Sequence, residues 1–230
     1  MTVYKIAESL PEPSRLREVC RALAMLDAVL SPDGWEERYY SYDSTWAPGE
    51  HMASMRNGSG DEYSIVFSTA GVWIRGFDHE SPMTPFGRRG YGAPWPGVVD
   101  TVPEAFRSCV EEPAFCEEAG QLVATVCLWR EPTDDRWRAG DIAFPEGSGL
   151  HTGDADGADR LFELLTDPSP HAYARFVEEY WEVPVDLPAI RHVYANLPLT
   201  EAVAAALNPD ATLAELTADL HEIGYPYASG

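Results

Sequence analysis

The densest run of side chains able to do acid-base or ligand chemistry is Asp78-His79-Glu80-Ser81. A histidine between carboxylates can shuttle protons or hold a metal, because a neighbouring negative charge moves its pKa toward neutrality. Consecutive residues of an extended chain point to opposite sides. Asp78 and Glu80 can therefore converge while His79 looks elsewhere. The plainer reading is a hydrogen-bonded turn at a strand end. The second polar run is Asp154-Ala155-Asp156-Gly157-Ala158-Asp159. It departs from a calcium loop at Ala158, at its early glycine and at Leu165, where the twelfth position needs Glu. A turn leading into a helix N-terminus, where aspartates favour the dipole, accounts for it better.

Other catalytic signatures are missing. Neither Gly58-Ser59-Gly60 nor Gly147-Ser148-Gly149 is a nucleophile elbow. Phosphate-loop, dinucleotide and His-Glu-x-x-His patterns do not occur. The six histidines are scattered. The four cysteines, Cys20, Cys109, Cys116 and Cys127, never form Cys-x-x-Cys and sit in apolar surroundings. They read as packed reduced thiols, so neither a metal site nor a cofactor is expected.

The elements that position these residues follow from hydrophobic spacing. Residues 14–30 form a helix through Leu16, Val19, Cys20, Leu23, Leu26 and Leu30. Aromatic alternation from residue 35 to 42 suggests a strand. Three more follow at 50–56, 61–69 and 72–78, separated by Asn57-Gly58-Ser59-Gly60 and Ala70-Gly71. Four short strands with tight turns make an antiparallel meander. Residues 80–101 form a long Pro- and Gly-rich connection carrying the Arg88-Arg89 doublet; a loop of this length is usually functional. A helix is expected at 102–112, an apolar strand at 121–130 and its hairpin partner at 136–144. Helices follow near 157, at 170–182, 187–195 and 200–207, and from Thr212, where Glu215 completes a capping box. The stripe from Tyr173 to Trp181 reads as core. The fold class is α+β: a meander packed with an N-terminal helix and a C-terminal helical region. Residues 1–145 are expected to form a mixed core and 146–230 an acidic helical region on the same core.

The chain of 230 residues has 38 acids against 16 bases, a net charge of −22. Residues 141–230 alone hold 16 acids and 3 bases. Such a charge opposes binding to nucleic acid or to an anionic membrane. No apolar run is long enough to span a bilayer. The N-terminal residues lack a basic stretch followed by an apolar one, so a cytoplasmic location without a signal peptide is expected. Nothing in the pattern sets an oligomeric state. The aromatic strands carry Tyr39, Tyr40, Tyr42, Trp46 and Trp73. Core packing against the 14–30 helix is the plain role for these rings. The other is an exposed recognition face, with Arg88 and Arg89 as further binding residues.

The run from Glu50 to Tyr63 (Glu-His-Met-Ala-Ser-Met-Arg-Asn-Gly-Ser-Gly-Asp-Glu-Tyr), followed by Gly76-Phe77-Asp78-His79-Glu80-Ser81-Pro82-Met83, resembles an uncharacterised family of bacterial proteins of similar size. The resemblance extends to Pro96-Gly97, Trp129-Arg130 and the helix containing Tyr180. It brings no catalytic residues. In general character the chain is similar to the immunity proteins of bacterial toxin systems. That likeness and the charge imply an acidic module neutralising a basic protein. One alternative is an enzyme, a hydrolase for a small cationic or neutral substrate, with Asp78, His79 and Glu80 as its catalytic candidates at the mouth of the 80–101 loop. The other is a structural role in which acidity serves only solubility.

Overall fold

A computed structural model of the chain describes residues 1–32, 34, 38–86, 92–118, 120–145, 154–182 and 184–228. Five strands follow one another in sheet order β1 to β5: Tyr40–Ala47, Glu50–Arg56, Glu62–Ser68, Gly71–Phe77 and Val126–Arg130. With the N-terminal helix and the C-terminal helices, this antiparallel meander makes the fold α+β, as the spacing predicts. The chain divides into two compact units, each built from two segments.

The first unit comprises Met1–Pro13 and Arg56–Glu163. Its centre is the β3–β4 hairpin, paired from Glu62↔Phe77 to Ser68↔Gly71, with β5 on the far side of β4. Every residue of β5 is buried, as are Val72 through Phe77 of β4. A strand covered on both faces needs an unbroken apolar run instead of alternation, which is how Val126-Cys127-Leu128-Trp129 reads. Helix α1 (Val3–Ser9), too short for the periodicity to reveal, packs on β5 and on α4 (Ala158–Leu161). The helix expected at 102–112 is a 3-10 turn, Glu104–Phe106, running into α3, Arg107–Val110. The strand expected at 136–144 reduces to one bridge, Trp129↔Arg138. Arg138 is held by Asp134, and Trp137 donates its indole N–H to the Pro11 carbonyl, so this segment is fixed by side chains.

The second unit comprises Ser14–Met55 and Leu164–Gly230. Helix α2 (Pro13–Leu30) is buried along Leu16, Val19, Leu23 and Leu26. The carboxylate of Asp27, on the same helix, accepts the backbone N–H groups of Tyr39 and Tyr40, each at 2.8 Å. That pair of bonds holds the chain where β1 begins. Of the strand expected at 35–42, residues 40–42 lie in β1, which runs on to Ala47, and residues 35–37 lie outside the described residues. After α5 (Glu163–Thr166), helices α6 (Pro170–Trp181), α7 (Leu187–Tyr194) and α8 (Glu201–Leu207) pack in succession. Each of these three starts on a side-chain cap, Ser169, Asp186 and Thr200 respectively. The capping box forms, with the Thr212 hydroxyl 2.6 Å from Glu215, although regular helix α9 starts later, at Thr217–Ile223. No described helix is long and apolar enough to cross a membrane.

Candidate functional site

Pairing of Glu62 with Phe77 puts Asp61 and Asp78 opposite each other at the open end of the β3–β4 hairpin. Both are buried, at 3% and 7% exposure. Two like charges across a strand pair repel, so this end of the hairpin needs a cation. Arg160, at the end of α4, supplies it. One guanidinium nitrogen lies 3.1 Å from Asp61 and 3.3 Å from Asp78, and a second lies 3.6 Å from Glu80.

Asp78 and Glu80 therefore do converge, as strand alternation predicts. His79 does not look away from them: it joins the same cluster through Asp61. Its Nδ1 lies 2.7 Å from Asp61 Oδ1, and its backbone N–H donates to the same oxygen at 3.0 Å. The other oxygen of Asp61 accepts from Asn57 at 2.7 Å as well as from Arg160. Asn57 also caps the turn before β3, taking the N–H groups of Ser59 and Asp61. The Asn-Gly-Ser-Gly turn thus sets the hairpin and aims a carboxylate at the histidine. Burial alone would raise the Asp61 pKa, but its bonds to His79 and the Arg160 charge outweigh that and hold it below the usual carboxylate value. The same bond raises the His79 pKa.

The 154–160 turn is tied to this site through the backbone. Asp154 and Asp156 accept the N–H groups of Asp159 and Ala158 at the start of α4, and Asp156 also takes the Val3 N–H at 2.8 Å. These carboxylates serve a helix start, as the sequence suggests. Thr125 links the Asp78 N–H to the Asp156 carbonyl. Gly157, at φ 77°, lies so close to Asp78 that a Cβ there would sit 2.3 Å from the carboxylate. Ser81 is buried and donates to the Ala155 carbonyl at 2.7 Å while accepting from the Met83 N–H. It is a turn residue, not a nucleophile.

One donor atom from each of Asp61, Asp78 and His79 lies within 4.8 Å of the others. All four oxygens of the two aspartates, however, accept from protein donors: His79, Asn57, Arg160 and the Glu80 N–H. The cation of this site is Arg160. What it offers chemically is His79, 41% exposed at its side chain, oriented through Nδ1 by a buried carboxylate.

The aromatic candidates lie differently from an exposed strand face. Trp73, Tyr42 and Tyr40 are 0%, 1% and 7% exposed. Trp73 is on a central strand and stacks on Phe115 at 5.6 Å. The Tyr42 hydroxyl accepts from Arg17 at 3.1 Å, and the Tyr40 ring meets Phe176 at 5.8 Å. These three are core residues of their units, and a surface role for them is corrected. Trp46 is half-buried. Arg88 and Arg89 lie outside the described residues.

Exposed aromatic surface occurs instead at the end of α6, which the spacing marks as core. Ala172, Tyr173 and Val177 are buried, but Phe176 is only half-buried and Tyr180 is 50% exposed. The Tyr180 ring stacks on Phe176 at 5.6 Å and meets Tyr39 at 5.2 Å and Trp181 at 6.0 Å. Helical periodicity shows which face is apolar; it does not show how far along the helix the cover extends. No protein-family model, curated protein or solved structure matches this chain.

Proposed function

We propose that the chain is an acidic recognition module for a basic protein, in the manner of an immunity or antitoxin protein. One observation carries this reading. Among the described residues, ten lysine and arginine side chains are already in ion pairs with carboxylates of the chain itself. With 38 acids against 16 bases, acids outnumber the cations that could answer them, even with Asp27 and Asp156 buried. A field of one sign raises the encounter rate with an oppositely charged partner and excludes partners of like charge. The test is affinity capture from the native lysate at low and at physiological salt, followed by direct binding of the purified captured protein. A basic protein that binds one-to-one and loosens with salt is the expected result. Retention of only neutral or acidic proteins, or of none at low salt, overturns it.

The Asp61–His79 pair favours a second reading, an enzyme acting on a small cationic or neutral substrate. Asp61 fixes the imidazole, and neutral His79 takes a proton from water as the water oxygen bonds the ester carbonyl carbon and the carbonyl π pair moves to its oxygen. As that pair returns, the bond to the leaving oxygen or sulfur breaks and the imidazolium gives its proton to the departing group. Assay with p-nitrophenyl acetate and acetylthiocholine decides it. Turnover lost in His79→Ala while the fold persists supports catalysis, and no turnover by the parent protein removes it.

A further inference from the structure

Resting on the recognition reading, we propose that the C-terminal end of α6 is where the basic partner docks. An arginine or lysine of the partner would be taken onto the rings of Tyr39, Phe176, Tyr180 and Trp181. Three observations meet there. The first is an aromatic cluster in which Tyr180 is exposed and Tyr39, Phe176 and Trp181 are half-buried, and tyrosine and tryptophan are rings that attract cations strongly. The second is the charge at the helix end. A helix C-terminus carries partial negative charge and is stabilised by bases. The last turn of α6 has no base, and instead holds Glu178 and Glu179, with Glu182 at its C-cap. The helix therefore ends in an electrostatic conflict that a cationic ligand relieves. The third is backbone strain. Glu182 has φ 56° and ψ 26°, the left-handed region that glycine or asparagine usually fills at this position. A glutamate held there adds a carboxylate to the helix end at a cost in stability. Local choices that oppose the fold in this way cluster at functional sites.

The occupant follows from charge. The helix end is acidic and carries an exposed tyrosine ring, and a guanidinium answers both chemistries by stacking on a ring while hydrogen-bonding a carboxylate. The probe is a capped hexa-arginine peptide, titrated into the full chain at about 50 mM salt, with affinity read by calorimetry. Tyr180→Ala is expected to weaken binding about tenfold, the scale of one well-placed cation–π contact with its neighbours. The double variant Glu179→Gln, Glu182→Gln is expected to do the same with the rings intact, which covers the case in which Tyr180→Ala disturbs the helix. The control is Glu104→Gln, Glu118→Gln, which removes equal charge from exposed positions elsewhere and should leave affinity within about twofold. If all three variants lose affinity equally, the peptide binds diffusely; the docking surface is then wrong while the recognition reading stands. If the parent chain does not bind the peptide even without added salt, both fall.

Discussion

The Tyr173 hydroxyl donates to the Asp27 carboxylate across 2.9 Å, and that carboxylate also holds the N–H groups that open β1. Asp27 is fully buried, and burial pushes its carboxyl up to about 6 despite these three bonds and the Arg38 charge. Asp27→Ala leaves three donors unanswered and is expected to cost about 3–5 kcal/mol, since each buried orphan costs about 1–3 kcal/mol. Asp27→Asn keeps an oxygen for the two N–H groups, and the tyrosine hydroxyl can turn to accept from the new amide. Near pH 4 it should lie within about 1 kcal/mol of the parent. The folded pKa is raised, so the folded state binds the proton more tightly. Stability is then highest below the unfolded carboxylate value near 4 and falls as pH rises toward about 6. Asp27→Asn should remove that decline. Urea unfolding of the three proteins between about pH 4 and pH 7 measures both effects. Equal stability of the Ala and Asn variants would show that this carboxylate does not organise the strand.

Gly157→Ala is expected to disrupt the acid–arginine cluster without touching a charge. Its φ of 77° disfavours any side chain, and the new Cβ would overlap Asp78. Left-handed strain costs about 1–2 kcal/mol and overpacking about 1–3 kcal/mol more. Asp61 is held independently by Asn57. The variant should therefore melt earlier while His79 keeps most of its raised pKa, since the Asp61 bond is the largest cause of that rise and Asp78 a smaller one. An unchanged melting temperature would mean that the 154–160 turn yields freely.

Sequence pattern fixes what is local. β2, β3 and β4 follow from turn glycines and short apolar runs, and α2, α7 and α8 from helical spacing and caps. The Asp78–Glu80 convergence follows from strand alternation. Contacts of long range leave no such trace. Arg160 meets Asp78 from 82 positions away and Asp61 from 99, and no spacing rule joins them. β1 starts where Asp27 holds it, a side-chain bond that hydrophobic alternation cannot register. The two units are each assembled from separated segments, so composition along the chain does not mark them. Tyr180 obeys the same helical stripe as buried Tyr173, and only the structure shows that cover ends before it.

The Asp61–His79 pair has a defined pH signature. Its bond to Asp61 raises the His79 pKa above the ordinary value of 6.5. The imidazolium is the form the fold favours, so stabilisation from this pair is complete below about pH 6 and disappears as pH rises through the raised value. The melting-temperature difference between the parent and His79→Ala should therefore be larger near pH 5.5 than near pH 8.5. In the NMR titration, Asp61→Asn should bring the His79 midpoint down toward that of a solvated histidine. A midpoint at or below 6.5 in the parent protein would contradict the geometry.

Glu182→Gly separates stability from binding at the proposed docking surface. Glycine adopts φ 56° without steric cost, and the substitution removes an acid from a helix C-terminus. Relief of left-handed strain is worth about 1–2 kcal/mol, and the dipole contribution about 0.3–1 kcal/mol, partly offset by the greater freedom of glycine in the unfolded chain. A net gain of about 1 kcal/mol raises the melting temperature of a chain this size by roughly 2–4 °C. The same variant should bind hexa-arginine more weakly, because one carboxylate at the helix end is gone. Higher stability with lower affinity is the outcome that strain retained for recognition requires. Higher stability with unchanged affinity would show that the left-handed glutamate serves no ligand, and lower stability would show that its side chain makes a contact worth more than the strain.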